Sequence, residues 1–407
     1  MAKWSTGHIG DVLTLQRGID ITKDAQRAGT VPVVSSGGVS SRHDTAAVKA
    51  PGVVIGRKGT LGTTFWLDVD YWPHDTTLWV KDFKGNDPKF VYYFLRWHED
   101  LFLSMDNGTA NPTLNRNHVH PLAAEWPERG EQGAIAALLG AIDAKIEMNR
   151  QTNHTLSEMA SALFSSWFVL FDPVIAKAAR RRPFGMTPAT AALFAGEFAP
   201  DPAWGDIPAG WNSRPLDSIA EFRNGLALQN FPPRIGEDRL PVIKIAQLRT
   251  GVPDSEEWAT SRIDPGCILD DGDIVFSWSG SLTVVVWCGG RGALNQHLFK
   301  VTSSTFPKWF YHQWTLFHLP EFQGIAADKA TTMGHIRRFH LTEARVVVPP
   351  PPVMAAADAM MTPWLDLVIA NNLESRTLSQ LRDALLPKLL SGEIRLKQAT
   401  KAVENVL

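Results

Sequence analysis

Two cysteines, Cys267 and Cys288, are all that the 407 residues contain. That excludes a disulfide framework and a zinc site built on four cysteines, and both thiols are expected to be reduced and buried in a cytoplasmic protein. No run of 18 or more apolar residues is present, so no membrane span is expected. The opening stretch MAKWSTGHIG lacks the apolar core of a signal peptide. A dominant charge is missing too: the formal net charge is −2, with 20% of residues charged. A non-specific nucleic-acid binder would be basic overall. A chain that places a few cations on DNA while a partner supplies the rest is not excluded.

Chemistry is equally sparse. The sequence has no GxxxxGK[ST] phosphate loop, no strand-linked GxGxxG, no HExxH and no GxSxG elbow. No closely spaced His/Cys set suggests a metal site. The Asp-Pro-Pro-Tyr or Asn-Pro-Pro-Phe/Tyr tetrapeptide of amino-methylating enzymes is absent, and NFPP at Asn230 has the wrong order. The carboxylates form no convincing pair. These absences together argue for a binding protein, with 44% apolar residues and enough length for two or three domains with real cores.

What the chain does have is a repeat. NRQTNHTLSEMASALF (149–164) and NNLESRTLSQLRDALL (371–386) match at a shift of 222 positions, sharing Asn149/Asn371, Thr155/Thr377, Leu156/Leu378, Ser157/Ser379, Ala162/Ala384 and Leu163/Leu385. Upstream, DVLTLQRG resembles SIAEFRNG, VPVVSSGGV resembles LPVIKIAQL, and GVVIGRKGTLG resembles GDIVFSWSGSL. KFVYYFLRW resembles KWFYHQWTL, and NPTLNRNHV resembles MGHIRRFHL. The order is the same in both halves and the shift drifts only from 207 to 222, which is the signature of a tandem duplication. Each copy reads as a mixed α/β domain with short, Gly-bounded strands, followed by a long helix. PKFVYYFLRWHEDLFLSM and PKWFYHQWTLFHL read as helices opened by Pro88 and Pro307, their aromatics serving core packing.

The long helices carry a coiled-coil seam with alternating steps of four and three. In the first it runs through Ile135, Leu139, Ile142, Ile146, Asn149, Asn153, Leu156, Ala160, Leu163 and Trp167. In the second it runs through Ala357, Met361, Trp364, Val368, Asn371, Ser375, Leu378, Arg382, Leu385 and Leu389. Both turn polar at the same place, where a buried polar pair trades stability for register. Arg382 breaks the pattern, and its neighbour Leu381 is the candidate to fill the seam. The expected division is domain 1 over 1–128, helix 1 over 129–168, a linker over 169–207, domain 2 over 208–350, helix 2 over 351–392 and a tail over 393–407. Arg180, Arg181 and Arg182 in the linker suit either phosphates or solvent, and Pro349–Pro352 suit a stiff spacer.

Candidate contact residues cluster in Gly-rich turns. In the first copy they are Arg17, Ser35, Ser36, Arg57, Lys58, Asn115 and Arg116. In the second they are Lys244, Ser277, Ser279, Asn295, Gln296, His297, Thr332, His335, Arg337 and Arg338. Asn and Gln suit adenine edges, Arg and Lys suit guanine, and Ser, Thr and turn amides suit phosphates. The same residues also serve ordinary turn chemistry.

With these motifs in order, the chain resembles type I restriction–modification specificity subunits. The resemblance rests on IPAGWNSRPLDSIAEFRNG, GDIVFSWSGS followed by GALNQHLFKV, TTMGHIRR and ALLPKLLSGEI, with GTANPTLNRNHV and ALFSSWFVLFDPV in the first copy, and covers residues 8 to 395. It implies an α+β architecture of two target-recognition domains, each reading half of a split, asymmetric site on double-stranded DNA. It implies two long helices packed antiparallel as a spacer, in a pseudo-twofold particle. Two modification subunits would carry S-adenosylmethionine and the methylation chemistry, so no cofactor is expected in this chain, and restriction subunits would join the full complex. The competing readings are a stand-alone methyltransferase or nuclease with degenerate motifs, and an assembly protein that ignores DNA. Residues 131–168 should form a helix roughly 57 Å long at about 1.5 Å per residue, paired antiparallel with residues 353–390.

Overall fold

The computed structural model describes residues 4–105, 113–254, 256–328 and 334–404. The chain divides into two compact units, Met1–Ile146 with Thr377–Leu407, and Glu147–Arg376. The long helices therefore contribute to both units, where the sequence suggested separate segments.

The duplication is explicit in the strand order. In unit 1 the strands Thr14–Arg17, Thr77–Asp82, Gly52–Gly56 and Thr64–Leu67 form an antiparallel sheet in that order. In unit 2 the same places are taken by Glu221–Asn224, Leu298–Thr302, Ile274–Ser277 and Thr283–Val286. A second sheet also repeats its one parallel step, Val31–Ser35 beside Trp72–Pro73 and Arg239–Ile243 beside Gly292–Leu294. Ser5–His8 pairs with Ala123–Trp126, and Asn212–Pro215 with Arg345–Val348. The central strands GVVIG and IVFS are buried at every position, so they read as continuous apolar runs, not alternating ones.

Helix boundaries depart from the sequence reading in four places. The segment opened by Pro88 is two helices, Pro88–Trp97 and Glu99–Ser104, broken at His98. Asp87 caps the first by accepting from the Phe90 amide at 2.9 Å. Its counterpart runs on as one helix, Lys308–Asp328, through Pro320. Pro351 and Pro352 are no spacer but the first turn of helix Pro351–Leu390, where a missing N–H costs nothing. The tail holds helix Leu396–Glu404, whose Ala399 and Val403 are buried in the unit 1 core.

The linker is ordered too. Helices Asp172–Ala178 and Pro188–Ala192 and the hairpin Phe198–Asp201/Gly205–Pro208 place Phe171, Val174, Phe194 and Ile207 in the unit 2 core. Arg180, Arg181 and Arg182 remain exposed. Cys267 is buried and Cys288 half-buried, both as free thiols.

The first long helix, Arg129–Phe164, ends in a π-helical turn at Ser165–Val169, close to the expected span. Within unit 2 it pairs antiparallel with the second. Asn149 Nδ2 donates to Glu374 Oε2 at 2.7 Å and Ser375 Oγ at 3.2 Å, and Asn371 Nδ2 donates to Asn153 Oδ1 at 2.8 Å. As the position rises from 149 to 153, the partner falls from 375 to 371. Leu156, Leu163, Trp364 and Val368 are half-buried along this stretch. Within unit 1, Ile142, Leu378 and Leu385 join the core, with Ile146 packed against it.

Leu381 packs against the unit 1 core as expected, and Arg382 is held beside it by an ion pair. The Arg382 side chain is 11% exposed and donates to Asp143 Oδ1 at 2.7 Å. Tyr93 Oη donates to the other carboxylate oxygen at 2.6 Å. Burial pulls the guanidinium's pKa down, but the bonds and charges of Asp143 and Asp383 outweigh it and leave the value raised.

Helix Pro351–Leu390 is long and apolar enough to cross a membrane by length and composition alone. No single apolar run shows this, because Ala, Met and Leu are spread among polar residues. Those polar residues bond within the protein: Asp358 Oδ1 accepts from Trp309 Nε1 at 2.8 Å, and Arg376 pairs with Asp271 at 2.8 Å.

Arg382→Met should lower stability by about 2 kcal/mol or more, since it leaves the Asp143 carboxylate partly buried without its cation. Arg382→Met combined with Asp143→Leu should recover most of that loss. Equilibrium denaturation checks both, and an unchanged midpoint for the single variant would show that the pair does not stabilise the protein.

Candidate nucleic-acid interface

The loops singled out in the sequence converge at one end of the main sheet in each unit, and the backbone framework is the same in both. In unit 1 the amides of Arg57 and Lys58 donate to Thr76 O, Leu114 N donates to Arg57 O, and Gly18 N donates to Thr77 O. In unit 2, Trp278 N donates to His297 O, Ile336 N to Trp278 O, and Gly225 N to Leu298 O. The bridges Lys58–Thr113 and Ile19–His74 recur as Ser279–His335 and Leu226–Asn295. Three segments thus meet in each copy: residues 56–59, 74–77 and 113–116 in one, and 277–280, 295–298 and 335–338 in the other.

An equivalent glycine in each copy makes the close approach of the outer strand possible. A Cβ at Gly18 would fall 1.9 Å from His74 O, and one at Gly225 would fall 2.2 Å from Asn295 O. No side chain fits there, so the outer strand is able to lie against the turn only as glycine.

On this common frame the side chains differ. In unit 1 the turn is charged. Asp75 is the hub: Arg17 Nη2 donates to its Oδ2 at 2.9 Å, Lys58 Nζ lies at 3.9 Å, and His74 Nδ1 lies 3.2 Å from Oδ1. Arg57 Nη1 donates to the Asp75 carbonyl at 3.3 Å. Burial raises the Asp75 pKa, but the Arg17 bond and the neighbouring positive charges carry it below the ordinary carboxylate value. Burial and the like charge of Arg17 both lower the Arg57 pKa. Ser36 lies beside the turn through its amide on Thr76 Oγ1, whereas Ser35 spends its hydroxyl on Gly38 O. Asn115 caps a short helix by accepting from Asn117 N, and Arg116 is exposed.

In unit 2 the corresponding turn has no carboxylate, with Asn295, Gln296 and His297 where unit 1 has His74, Asp75 and Thr76. Ser279 Oγ lies 3.0 Å from His297 Nδ1, and Gln296 Nε2 lies 3.4 Å from its Nε2. Trp278 has both His297 and His335 near its ring, with centroids at 6.1 and 6.3 Å. Lys244 pairs with Glu257.

Several of the expected contact residues are engaged within the turns themselves. Ser277 is fully buried and gives its hydroxyl to the Ser279 and Ser281 carbonyls, so it holds the turn and has no face to offer. Ser279 and Asn295 are 3% and 8% exposed, and act on His297 from beneath. Asn295 Oδ1 accepts from the His297 amide at 3.2 Å. Arg338 is tied back, donating to Phe222 O at 3.1 Å with its guanidinium over the Phe299 ring. Arg337 and Arg338 are both exposed, and Arg338 differs in being bonded back in this way. Thr332 lies outside the described residues.

Sequence reasoning missed His74, Asp75 and Thr76. Their signal is in the repeat: HDTTLWV aligns with NQHLFKV at a shift of 221. Asp20, His74 and Asp75 also bring three metal-competent atoms within 4.8 Å of one another, a cluster no local motif announces. Arg17 already occupies one carboxylate oxygen there, which opposes a cation.

Residues 1–158 match the family model of the type I restriction modification DNA specificity domain. The MjaIX specificity subunit of Methanocaldococcus jannaschii, a type I restriction enzyme component, is 22% identical over 325 residues, covering 76% of this chain and 70% of that protein. The HindI specificity subunit of Haemophilus influenzae is 22% identical over 356 residues, covering 75% and 77%. In structure, the chain is similar to the S subunit of the type I restriction–modification system of M. genitalium, with a TM-score of 0.62, 14% identity and 96% of each chain covered. That likeness shows the fold.

The two neighbouring arginines should behave differently. Arg338→Ala should cost about 1 kcal/mol of stability, because it removes a carbonyl bond and a ring contact. Arg337→Ala should leave stability within about 0.5 kcal/mol but weaken DNA binding and reduce its salt slope by roughly one. Thermal unfolding and salt-dependent binding separate them, and the reverse pattern would exchange their roles.

Proposed function

We infer that this chain, which the comparisons support as a type I restriction–modification specificity subunit, reads a split DNA site with its two loop sets. The observation that carries the reading is the repeated frame with unlike side chains. One backbone arrangement presents a charged turn in unit 1 and an amide and imidazole turn in unit 2. A protein that only held others together would have no use for conserved loop geometry combined with divergent hydrogen-bonding chemistry. Base edges demand that combination, since the phosphate backbone is alike everywhere and the bases are not.

The chain itself is non-catalytic in this reading. S-adenosylmethionine and methyl transfer belong to modification subunits, cleavage belongs to restriction subunits, and the complex works in the cytoplasm. The long helices supply docking faces. Of the off-seam residues the repeat preserves, Thr155, Ser157 and Ala162 in the first helix and Thr377 and Ala384 in the second are exposed, and Ser379 is half-buried. A seam needs only its own positions kept. Preserved exposed residues on two equivalent helices suit two copies of one modification subunit.

Exchanging residues 208–350 for those of a relative should change one half of the methylated motif and leave the other intact. Methylome sequencing of cells carrying the chimera with its modification subunits reads the outcome. A change in both halves, or in neither, would refute the assignment of one half-site to each copy. Mass measurement of the co-purified complex should give two modification subunits per chain, and a complex that saturates at one would contradict the paired docking faces.

A further inference from the structure

We propose that Asp75 is a positioning residue that makes Arg17 the reader of a guanine in the half-site recognised by unit 1. The proposal rests on the DNA-reading function above. Arg17 closes its strand one residue before Gly18, where the chain presses against the His74–Thr77 turn. Its side chain is 55% exposed, while that of Asp75 is 17% exposed. One end of the guanidinium is therefore pinned by a 2.9 Å bond, and the rest of its donor fork is open to solvent. A guanidinium has five N–H donors, and one bond leaves the pair that matches guanine O6 and N7. Pinning removes rotamer freedom before binding, so less is lost when the contact forms.

The surroundings keep Asp75 itself in place. Its carbonyl accepts from Arg57 Nη1, its carboxylate meets His74 Nδ1, and the turn is fixed by the Arg57 and Lys58 amides on Thr76 O. Lys58 is 45% exposed and 3.9 Å from Asp75 Oδ2, so it is the cation left over for a phosphate.

Unit 2 is the internal comparison. At the same two positions of the same frame it has Asn224 and Gln296, and the turn keeps its bonds without any ion pair. The fold thus does not need the carboxylate–guanidinium pair. Asp75 is largely covered but Arg17 is half exposed, so solvent screens the pair and it adds little to stability, too little to account for a dedicated hub. Its remaining use is to aim Arg17.

The test compares reconstituted wild-type complex with Asp75→Asn and Arg17→Lys, by methylome motif and by competition with singly substituted half-sites. Asp75→Asn keeps the shape and loses the charge; Arg17→Lys keeps the charge and loses the fork. Both should lose about tenfold or more in discrimination at one and the same G·C pair of one half-site. The other half-site and the salt slope should be unchanged. Discrimination that survives in both variants, loss at an A·T pair, or equal weakening on all sequences would overturn the proposal. If Asp75→Asn does not fold, the exposed Arg17→Lys decides alone. A wild-type complex with no sequence preference would instead refute the DNA-reading function itself.

Discussion

The pairing of the two long helices depends on a small polar knot: Asn149 with Ser375, and Asn371 with Asn153. The two bonds are the same bond seen twice, because adding 222 to 149 gives 371 and subtracting 222 from 375 gives 153. A duplicated helix that pairs antiparallel with its own copy must place such equivalents across a local twofold. The amides make only one alignment good. A slip of one heptad would set Asn149 against Val368 or Arg382, leaving a buried amide unmatched at about 1–3 kcal/mol. Apolar seam residues would tolerate that slip far more easily.

The same economy governs the loop sets. Backbone-to-backbone bonds and the equivalent glycines Gly18 and Gly225 build the frame, so its geometry depends little on the side chains it displays. Arg17, Asp75 and Lys58 are then free to become Asn224, Gln296 and Ser279 in the other copy without rebuilding the turn. Buried hydroxyls and amides such as Ser277 and Asn295 belong to the frame, while exposed Arg17, Arg116 and Arg337 belong to the display. This division suits a reader whose target changes faster than its fold.

Much of this architecture was legible in the sequence because it is periodic. The heptad seam, the 222 shift and the paired motifs each rest on spacing, and Asn149, Ile142, Leu378 and Leu385 are found where spacing put them. What spacing could not show was depth. Ser277 and Ser279 look like turn hydroxyls at the surface, yet strand burial consumes both. Arg338 looks as available as Arg337, and only the placement of Phe222 and Phe299 distinguishes them. Asp75 escaped notice because its importance lies in Arg17, 58 residues away, a pairing that no local pattern carries. The helix breaks at His98 and the ordered linker depend on tertiary packing in the same way.

The Arg382–Asp143 pair shows where the copies parted. Shifted by 222, its equivalent in unit 2 is Ala160 with Leu365, which line a pocket beside Trp364 and Val368. In unit 1 this position is therefore an ion pair joined by the Tyr93 hydroxyl, and in unit 2 its counterpart is apolar. Two identical positions would let a helix pair equally well with the matching helix of a second chain turned end for end. Unlike positions penalise that exchange, because a guanidinium would face alanine or leucine without its carboxylate, at a cost of several kcal/mol. The tethered partner in the same chain also has the higher effective concentration. Repetition thus supplies the paired frame, and the broken repeat at Arg382 favours pairing between the two unlike helices.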